Sequence, residues 1–388
     1  MNILGAFTTE QIQTINLIKP ICKCNGIKAY IVGGAVRDAF LGNKVKDIDI
    51  CIDRNPNFII SKLDGIKCFQ YYDKFQTASV LFENEVNIDL IRCRKEYYVR
   101  DGELPIIEPS HIYDDLKRRD FTVNALAYDI VKESLIDIYR GLEDIKNKSL
   151  QKIHLNSYKE DPTRIFRAVK YAVRYGFDLK DKDEIINCVN EGAFNLISND
   201  RIVKEIYLLC KEKMWIKNIL MCGNLKIFNV NREKLRIGNE NYNNINERIL
   251  RLFYALEDKK YAHILGENSV LDSKLKISIK YFIENYQKIT CRILNAMDNY
   301  ELYEILKSIN DYGLILLKWN DKLKYKIYNY VHNMYHYKSS LNGKFISSLG
   351  IQNGKTIGEI LNYMAKIELN SMIKYGKKYL VKNLGEII

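Results

Sequence analysis

The chain has 388 residues, too many for one ordinary hydrophobic core, so we expect two or more domains. Its hydrophobic content of 47% excludes a disordered chain, and no apolar run approaches the length of a membrane span. The net charge of +12 and the isoelectric point near 9.0 indicate a polyanionic partner, for which nucleic acid is the first expectation.

The beginning of the sequence and its cysteines bear on the cellular compartment. The stretch "MNILGAFTTEQIQTINLIKP" has no basic segment ahead of an apolar core, so no signal peptide is expected. Nine cysteines are scattered along the chain, and the one close pair, Cys22 and Cys24, has no second pair near it. Reduced thiols are expected rather than a zinc site or disulfides, which predicts a cytoplasmic protein.

Helix and strand patterns alternate over the first 150 residues. "FTTEQIQTINLIKPICKCNG" predicts a helix that begins at Thr8 or Thr9. "AYIVGG" and "DIDICI" predict strands, and "ASVLFENEVNIDLIR" predicts a hairpin that turns at Glu83 and Asn84. This part of the chain is therefore expected to be an N-terminal domain that contains both helices and strands.

Helical periodicity dominates beyond about residue 157. Leu275, Ile279 and Phe282 show the spacing of a buried helical face. Residues 301–388 contain 13 lysines, no arginine and 7 acidic residues. Lysine without arginine suits contact with phosphates regardless of sequence, and solvated helix faces are the alternative explanation.

Two aspartates lie one residue apart in "KDIDICI". Alternation along a strand would send Ile48 and Ile50 into the core and would place Asp47 and Asp49 together on the other face. Two carboxylates about 6–7 Å apart can share a pair of divalent cations. Asp89 in "VNIDLIR" is a third candidate, either as a metal ligand or as the acceptor of a hydroxyl proton. An exposed strand with solvated acids is the alternative.

Two glycines and an arginine precede this pair by about ten residues. Gly33 and Gly34 lie between a predicted strand and a predicted helix, where glycine lets backbone N–H groups approach a phosphate. Arg37, one turn into that helix, can donate to the same anion. Capture of a triphosphate followed by capture of a metal suits nucleotidyl transfer, whereas each part alone could be a tight turn and a surface arginine.

These stretches resemble the motifs of one enzyme family, in order. "GGAVRD" followed by "DID" is similar to the first motif of the class II CCA tRNA nucleotidyltransferases and bacterial poly(A) polymerases, within the polymerase-beta-like superfamily. "DDLKRRDFTVNALAYD" resembles the second motif, which implies nucleotide binding by Arg119, Asp120 and Asn124. "LIDIYRGLEDIKNKSL" resembles the third, with Arg140 in place of its first glycine. The resemblance extends over essentially the whole chain.

The fourth and fifth motifs concern the choice of base. "EDPTRIFRAVKYAVRYGF" resembles the fourth motif and "ISNDRIVKEI" the fifth. Asp161 can accept from the exocyclic amino group of cytosine or adenine, while Arg164 donates to a ring nitrogen or carbonyl, so the pair would reject uracil and guanine. Glu160 is expected to hold Arg164, and Arg167 faces the same site. The alternative is that Asp161 simply caps a helix.

The fifth motif carries one further expectation. Arg201 and Glu205 are four residues apart in the sequence, a spacing that predicts an ion pair within one helix.

The resemblance implies an α+β fold: a nucleotidyltransferase head with a small mixed or antiparallel sheet, then an all-helical neck, body and tail. The predicted boundaries are 1–150, 151–215, 216–290 and 291–388. The implied reaction adds CCA to tRNA 3′ ends from CTP and ATP with Mg²⁺, the tRNA being bound at its 3′ end and its acceptor and T arm. A poly(A) polymerase, a CC-adding or A-adding enzyme, and a non-catalytic RNA-binding protein are alternatives. The sequence leaves the oligomeric state open.

Overall fold

The structure is a computed structural model that describes residues 3–236 and 244–387. The chain divides into two units, Met1–Ile227 and Phe228–Ile388. In the described part, no helix combines the length and the apolar character that crossing a membrane requires. The four predicted domain boundaries stay predictions.

The first unit contains the strands. Their bounds are β1 Ala29–Val32, β2 Ile48–Ile52, β3 Ile66–Tyr72, β4 Thr77–Phe82, β5 Asn87–Arg92, β6 Arg94–Tyr97, β7 Ile106–Pro109, β8 Ala127–Asp129, β9 Ser134–Ile136, β10 Ser149–Leu150 and β11 Asp178–Leu179.

Seven of these strands form one mixed sheet in the order β3-β4-β5-β2-β1-β8-β9. Neighbours in this sheet are antiparallel except for β2 and β5, which run parallel. Strands β6 and β7 form a separate antiparallel hairpin, and β10 pairs with β11. The predicted hairpin is β4–β5, and the mixed sheet of the head is confirmed.

Helices surround this sheet and continue beyond it. In the first unit they are α1 Thr9–Cys24, α2 Gly34–Phe40, α3 Pro56–Ile60, α4 Ile112–Lys117, α5 Gly141–Lys146, α6 Ser157–Glu160, α7 Thr163–Tyr175, α8 Lys182–Asn190, α9 Asn199–Lys211 and α10 Trp215–Asn224. Short 3-10 helices lie at Ile3–Ala6, Asp73–Phe75, Thr122–Asn124 and Ala193–Leu196.

The second unit is helical throughout its described residues. Its helices are α11 Arg232–Arg236, α12 Ile245–Ala255, α13 Lys259–Gly266, α14 Ser273–Asn295, α15 Asn299–Leu306, α16 Asp311–Lys318, α17 Lys324–Asn333, α18 Gly343–Ser348, α19 Gly354–Ser371 and α20 Lys377–Ile387. Leu275, Ile279 and Phe282 are buried on α14, as their spacing predicts. The α+β fold class is therefore confirmed.

Local sequence explains the first helix. Thr8 is the N-cap of α1, and its Oγ1 accepts from the backbone N–H of Gln11 at 3.3 Å. Gln11 Oε1 in turn accepts from the backbone N–H of Thr8 at 2.9 Å. Two N–H groups that helix geometry leaves unpaired are thereby satisfied.

The third motif contains a strained position. Arg140 lies just before α5 in a left-handed conformation, with φ +57°. A side chain there costs energy that glycine avoids, which explains why a glycine would suit this position. At the next residue, Gly141, a Cβ atom would overlap the backbone oxygen of Thr122. The second glycine of the motif is thus required by close packing.

Candidate active site

The register of the parallel strands brings two of the predicted carboxylates together. Asp49 on β2 is directly paired with Asp89 on β5. Ile48 and Ile50 are buried, as the predicted alternation requires. Asp47 is exposed and lies immediately before β2, not within it as predicted. Asp47 and Asp49 therefore lie in different surroundings.

Asp49 lies in surroundings that disfavour its charge. Burial raises the pKa of Asp49 to about 6; the guanidinium of Arg119 opposes this shift, and the charges of Asp89 and Asp47 add to it. One oxygen of Asp89, Oδ1, is buried and has no hydrogen-bond partner. A buried carboxylate oxygen without a donor is costly, so this group calls for a cation or a proton.

These carboxylates can supply only some of the ligands of a divalent cation, and the substrate and water would have to supply the others. Among residues 3–236 and 244–387, no three His, Cys, Asp or Glu side chains form a closed metal-binding group. Mg²⁺ is usually held by one or two carboxylates together with substrate phosphates and water. Asp47, Asp49 and the unsatisfied oxygen of Asp89 provide that kind of partial site.

The first glycine of the "GGAVRD" motif makes room for an arginine. Gly33 has φ +63°, and a Cβ atom there would lie 2.6 Å from Nη1 of Arg119. Its N–H donates to the backbone oxygen of Leu126 at 3.1 Å. This N–H is therefore already paired with a backbone oxygen, and phosphate binding at the two glycines stays a prediction. Gly34 begins α2.

Arg37 is an internal residue rather than an open phosphate ligand. It is only 4% exposed, its Nη1 donates to Asn124 Oδ1, and its Nε donates to Asp38 Oδ1 at 3.0 Å. Its guanidinium lies 4.6 Å from the ring centre of Tyr175. Donation from Arg37 to a substrate phosphate would require it to leave these partners.

A buried chain of hydrogen bonds joins three of the predicted nucleotide-binding residues to Arg37. Asn124 accepts from Arg37 and donates through Nδ2 to Asp120 Oδ1 at 2.9 Å. Asp120 Oδ2 accepts from Nε of Arg167 at 2.7 Å. Burial alone would raise the pKa of Asp120, but Arg167 and Asn124 outweigh it and lower that pKa. The amide of Asn124 thus connects the first, second and fourth motifs.

Asp115 is a structural anchor that the sequence reasoning missed. It is fully buried on α4, and its two oxygens accept from Arg118 and Arg119 at 2.8 and 2.9 Å. Burial would raise its pKa, but the two guanidiniums hold the pKa of Asp115 at about 2. The i, i+3 and i, i+4 spacing in "DDLKRRD" is the signal that could have identified it.

Arg164 is held by four acceptors, none of them Glu160. Its Nη1 contacts Nε2 of His154 at 3.0 Å and donates to Ser157 Oγ at 2.8 Å. Its Nη2 donates to the backbone oxygen of Arg118 at 2.9 Å and to Tyr98 Oη at 3.4 Å.

Glu160 lies one step further away. Its Oε2 is 3.7 Å from Nδ1 of His154, so the histidine separates Glu160 from Arg164. The expected direct contact between Glu160 and Arg164 is therefore wrong, because His154 occupies the place between the two charges.

Asp161 precedes α7 in an extended conformation instead of sharing a helical face with Arg164. Its Oδ1 accepts from the backbone N–H of Thr163 at 3.2 Å, as the helix-capping alternative predicts. The same oxygen accepts from Nη2 of Arg201 at 2.8 Å, and Nη1 of Arg201 donates to the backbone oxygen of Gly102 at 2.6 Å. Arg201 therefore pairs with Asp161 instead of Glu205.

One cleft of about 650 Å³ collects most of the predicted residues. Of the thirteen, those that line it are Gly33, Gly34, Arg37, Asp47, Asp49, Arg119, Asp120, Asn124, Asp161, Arg164 and Arg167. The cleft also contains several residues that were not predicted, including Arg118, Arg174 and Arg201. Arginines dominate its positive lining, which suits a polyphosphate.

A larger cavity of about 760 Å³ lies beside this cleft. It shares Arg164 with the cleft and contains Glu160 and His154, but it lacks Asp47 and Asp49, and Asp89 lines neither cavity. The chemistry therefore places the candidate active site in the smaller cleft, where acids and phosphate-binding groups meet.

Comparison with known proteins bears on this cleft, because its first two motifs lie in the segment that matches a known domain. Residues 29–151 match the poly(A) polymerase head domain. The A-adding tRNA nucleotidyltransferase of Aquifex aeolicus (strain VF5) is 30% identical over 385 residues, which cover 89% of this chain and 45% of that protein. The chain is thus similar over most of its length to the class II family of CCA-adding tRNA nucleotidyltransferases and poly(A) polymerases.

Two further proteins are similar to this chain, one in sequence and one in fold. The CCA-adding enzyme of Bacillus licheniformis is 35% identical over 196 residues, 49% of this chain and 48% of that enzyme. This chain therefore spans about half the length of these two curated relatives. A CCA-adding enzyme in its apo form II shares the fold, with a TM-score of 0.78, 22% identity and coverage of 100% of this chain and 98% of that one.

Proposed function

We propose that this protein is a template-independent RNA nucleotidyltransferase that adds CCA to tRNA 3′ ends from CTP and ATP and releases pyrophosphate. The observation that carries the proposal is the pairing of Asp49 with Asp89 beside a cleft that also contains Asp161 and Arg164. Two different kinds of site, one for phosphate chemistry and one for reading a base, thus share one cleft.

In the proposed reaction, the terminal 3′ oxygen of the RNA bonds to the α-phosphorus of the nucleotide. The bond from that phosphorus to the bridging oxygen breaks, and pyrophosphate leaves. Asp89, paired with Asp49, would act either as a further metal ligand or as the acceptor of the hydroxyl proton. Asp47 and Asp49 would hold Mg²⁺, which when bound supplies positive charge for the triphosphate. Arg119, fixed by Asp115, is placed to stabilise the departing phosphates.

Selection of the base is assigned to Asp161 and Arg164. Both are engaged by other protein groups in this structure, Asp161 by Arg201 and Thr163, and Arg164 by four acceptors. Nε of Arg164 lies 4.0 Å from Asp161 Oδ2, a long separation for an ion pair. The edge of a cytosine or adenine would therefore meet Asp161 and Arg164 side by side, because the two side chains are close but not tightly bonded to one another.

Addition of the terminal A alone is a second candidate. The A-adding relative from Aquifex aeolicus aligns over 89% of this chain, whereas the CCA-adding relative from Bacillus licheniformis aligns over 49%. The chemistry in the cleft is the same for both reactions, so the products must distinguish them.

The test uses purified protein, Mg²⁺ and three tRNAs that end at the discriminator base, after one C and after CC. CTP and ATP are supplied separately and together, and the product ends are sequenced. A stop after CCA on every substrate supports the proposal. Addition of A to the CC end alone supports the second candidate, and long A tails indicate a poly(A) polymerase. The absence of any product, with tRNA still bound, would overturn the enzymatic assignment.

A further inference from the structure

Arg164 has almost no donors left for a substrate. A guanidinium carries five N–H groups, four of them on its two terminal nitrogens. Each terminal nitrogen of Arg164 contacts two protein acceptors, at separations of 2.8 to 3.4 Å. The side chain is 5% exposed. Which of these acceptors is fixed, and which can be exchanged for a base, therefore decides where the guanidinium points.

His154 is suited to be the fixed acceptor. Its Nε2 lies 3.0 Å from Nη1 of Arg164, and its Nδ1 lies 3.7 Å from Oε2 of Glu160. Burial, together with the charges of Arg164, Lys152 and Lys117, lowers the pKa of His154 to about 4. The ring is therefore neutral near pH 7, with an N–H toward Glu160 and a lone pair toward Arg164.

The ring also separates two opposite charges. Arg164 and Glu160 would attract each other strongly at this depth if nothing lay between them. A direct ion pair would turn the guanidinium toward the larger cavity, which contains both residues, and away from Asp161. His154 instead offers Arg164 a neutral acceptor at 3.0 Å, while its Nδ1 lies 3.7 Å from Glu160, beyond hydrogen-bond distance.

We propose that His154 is a positioning residue that orients the Arg164 guanidinium for base selection. The inference rests on the proposed function, because it concerns how that reaction distinguishes CTP and ATP from UTP and GTP. His154 and Ser157 hold Nη1, so that Nε, 4.0 Å from Asp161 Oδ2, stays on the side that faces Asp161 and the base. Without this acceptor the guanidinium can tilt, and the hydrogen bonds that reject uracil and guanine lose their geometry.

The test compares three variants at the same position. Glutamine in His154→Gln can place its amide oxygen where Nε2 lies. Asparagine in His154→Asn is also polar but is one methylene shorter than glutamine, so its amide oxygen does not reach Arg164. Leucine in His154→Leu has no acceptor. His332→Leu, in the second unit, is the control, because that ring stacks on the exposed Tyr328 outside the cleft.

The readouts are kcat/KM for CTP, ATP, UTP and GTP, the melting temperature, and equilibrium binding of CTP and UTP without tRNA. We expect His154→Asn and His154→Leu to lose about 5–10-fold in selectivity for CTP over UTP, the equivalent of one hydrogen bond. His154→Gln should stay within about 3-fold of the parent protein, and the control should not change.

Two results would overturn the inference: unchanged selectivity in His154→Asn, or the same loss in His154→Gln as in His154→Leu. Failure of His154→Leu to fold leaves the comparison of glutamine with asparagine decisive. If the parent protein transfers no nucleotide, the proposed function fails, while the preference for CTP over UTP in binding still tests the role of His154.

Discussion

Asp49 and Asp89 face each other across the parallel strands β2 and β5. Neighbouring strands lie about 4.8 Å apart, so two carboxylates in register repel each other unless a cation or proton lies between them. Burial raises the pKa of Asp49, the charge of Asp89 adds to that shift, and one oxygen of Asp89 has no hydrogen-bond partner. The strand pairing thus creates a place where positive charge is needed.

Neutralising these acids should stop the reaction without unfolding the head. Asp49→Asn and Asp89→Asn should each lower nucleotide transfer by about 10²–10⁴-fold, because a metal ligand or a proton acceptor is lost. Asp49→Asn should also raise the melting temperature slightly, since it removes one of two facing charges. Transfer assays, tRNA binding and thermal melts measure this. The exposed Asp64→Asn is the control; transfer at the parent rate in Asp49→Asn would contradict the assignment.

Gly33 should be needed for more than its backbone conformation. Gly33→Ala introduces a Cβ 2.6 Å from Nη1 of Arg119, in addition to the strain of a positive φ. Gly42→Ala is a matched control, because Gly42 also has a positive φ, +72°, but has nothing within 4 Å of a Cβ. Both should lose about 1–2 kcal/mol in free energy of unfolding. Only Gly33→Ala should raise the KM for nucleotide, and an equal KM in both variants would exclude displacement of Arg119.

Asp115 should contribute strongly to the stability of the head. In Asp115→Asn, Arg118 and Arg119 lose the shared anion that accepts from both. Breaking such a buried pair costs about 3–5 kcal/mol. Because Arg118 keeps Glu96 at 3.2 Å, the loss should lie at the lower end of that range. Urea unfolding measures the loss. The neighbouring Asp114, whose side chain is 36% exposed, provides the control Asp114→Asn, which should change little. Similar losses in both variants would contradict the anchoring role.

His154 should make the protein less stable at mildly acidic pH. Its pKa of about 4 in the folded protein lies below the ordinary value of 6.5, so the unfolded chain binds the proton more readily. The neutral ring makes its full contribution to the free energy of unfolding above pH 6.5, and this contribution is lost as the pH falls toward 4.

The variant His154→Gln cannot take up this proton and provides the comparison. Between pH 7 and pH 5, the free energy of unfolding of this variant should fall by about 1 kcal/mol less than that of the parent protein. This value already allows for the partial exposure of the ring, which weakens the effect of its charge. Parallel pH profiles in urea unfolding would contradict a buried neutral histidine. The charges of Arg164, Lys152, Lys117 and Glu160 are common to both proteins and cancel in this difference.

The sequence predicted much of the fold because several of its signals are local. The capping residues of α1, the hairpin β4–β5 and the buried face of α14 all depend on neighbours in the chain. Most of the residues that the resemblance to family motifs then identified line the cleft. The start of β2 after Asp47 was missed, because strand ends depend on which partner strand continues.

Hydrogen-bond partners were predicted less well than positions. The sequence assigned Arg164 to Glu160 and Arg201 to Glu205, in each case a charge four residues away in the chain. The structure pairs Arg201 with Asp161, forty residues away, and Arg164 with His154. Nearness in sequence is a poor guide for long side chains, which can reach a packed neighbour as easily as the next helical turn.

The sequence alone determined which residue types are available and where backbone conformation requires glycine, because alternation, capping and positive φ are properties of short segments. Only the tertiary structure decided that Asn124 joins Arg37 to Asp120, and that His154 separates Arg164 from Glu160. Those contacts arise when elements distant in the chain pack together and buried polar groups must find partners at that depth.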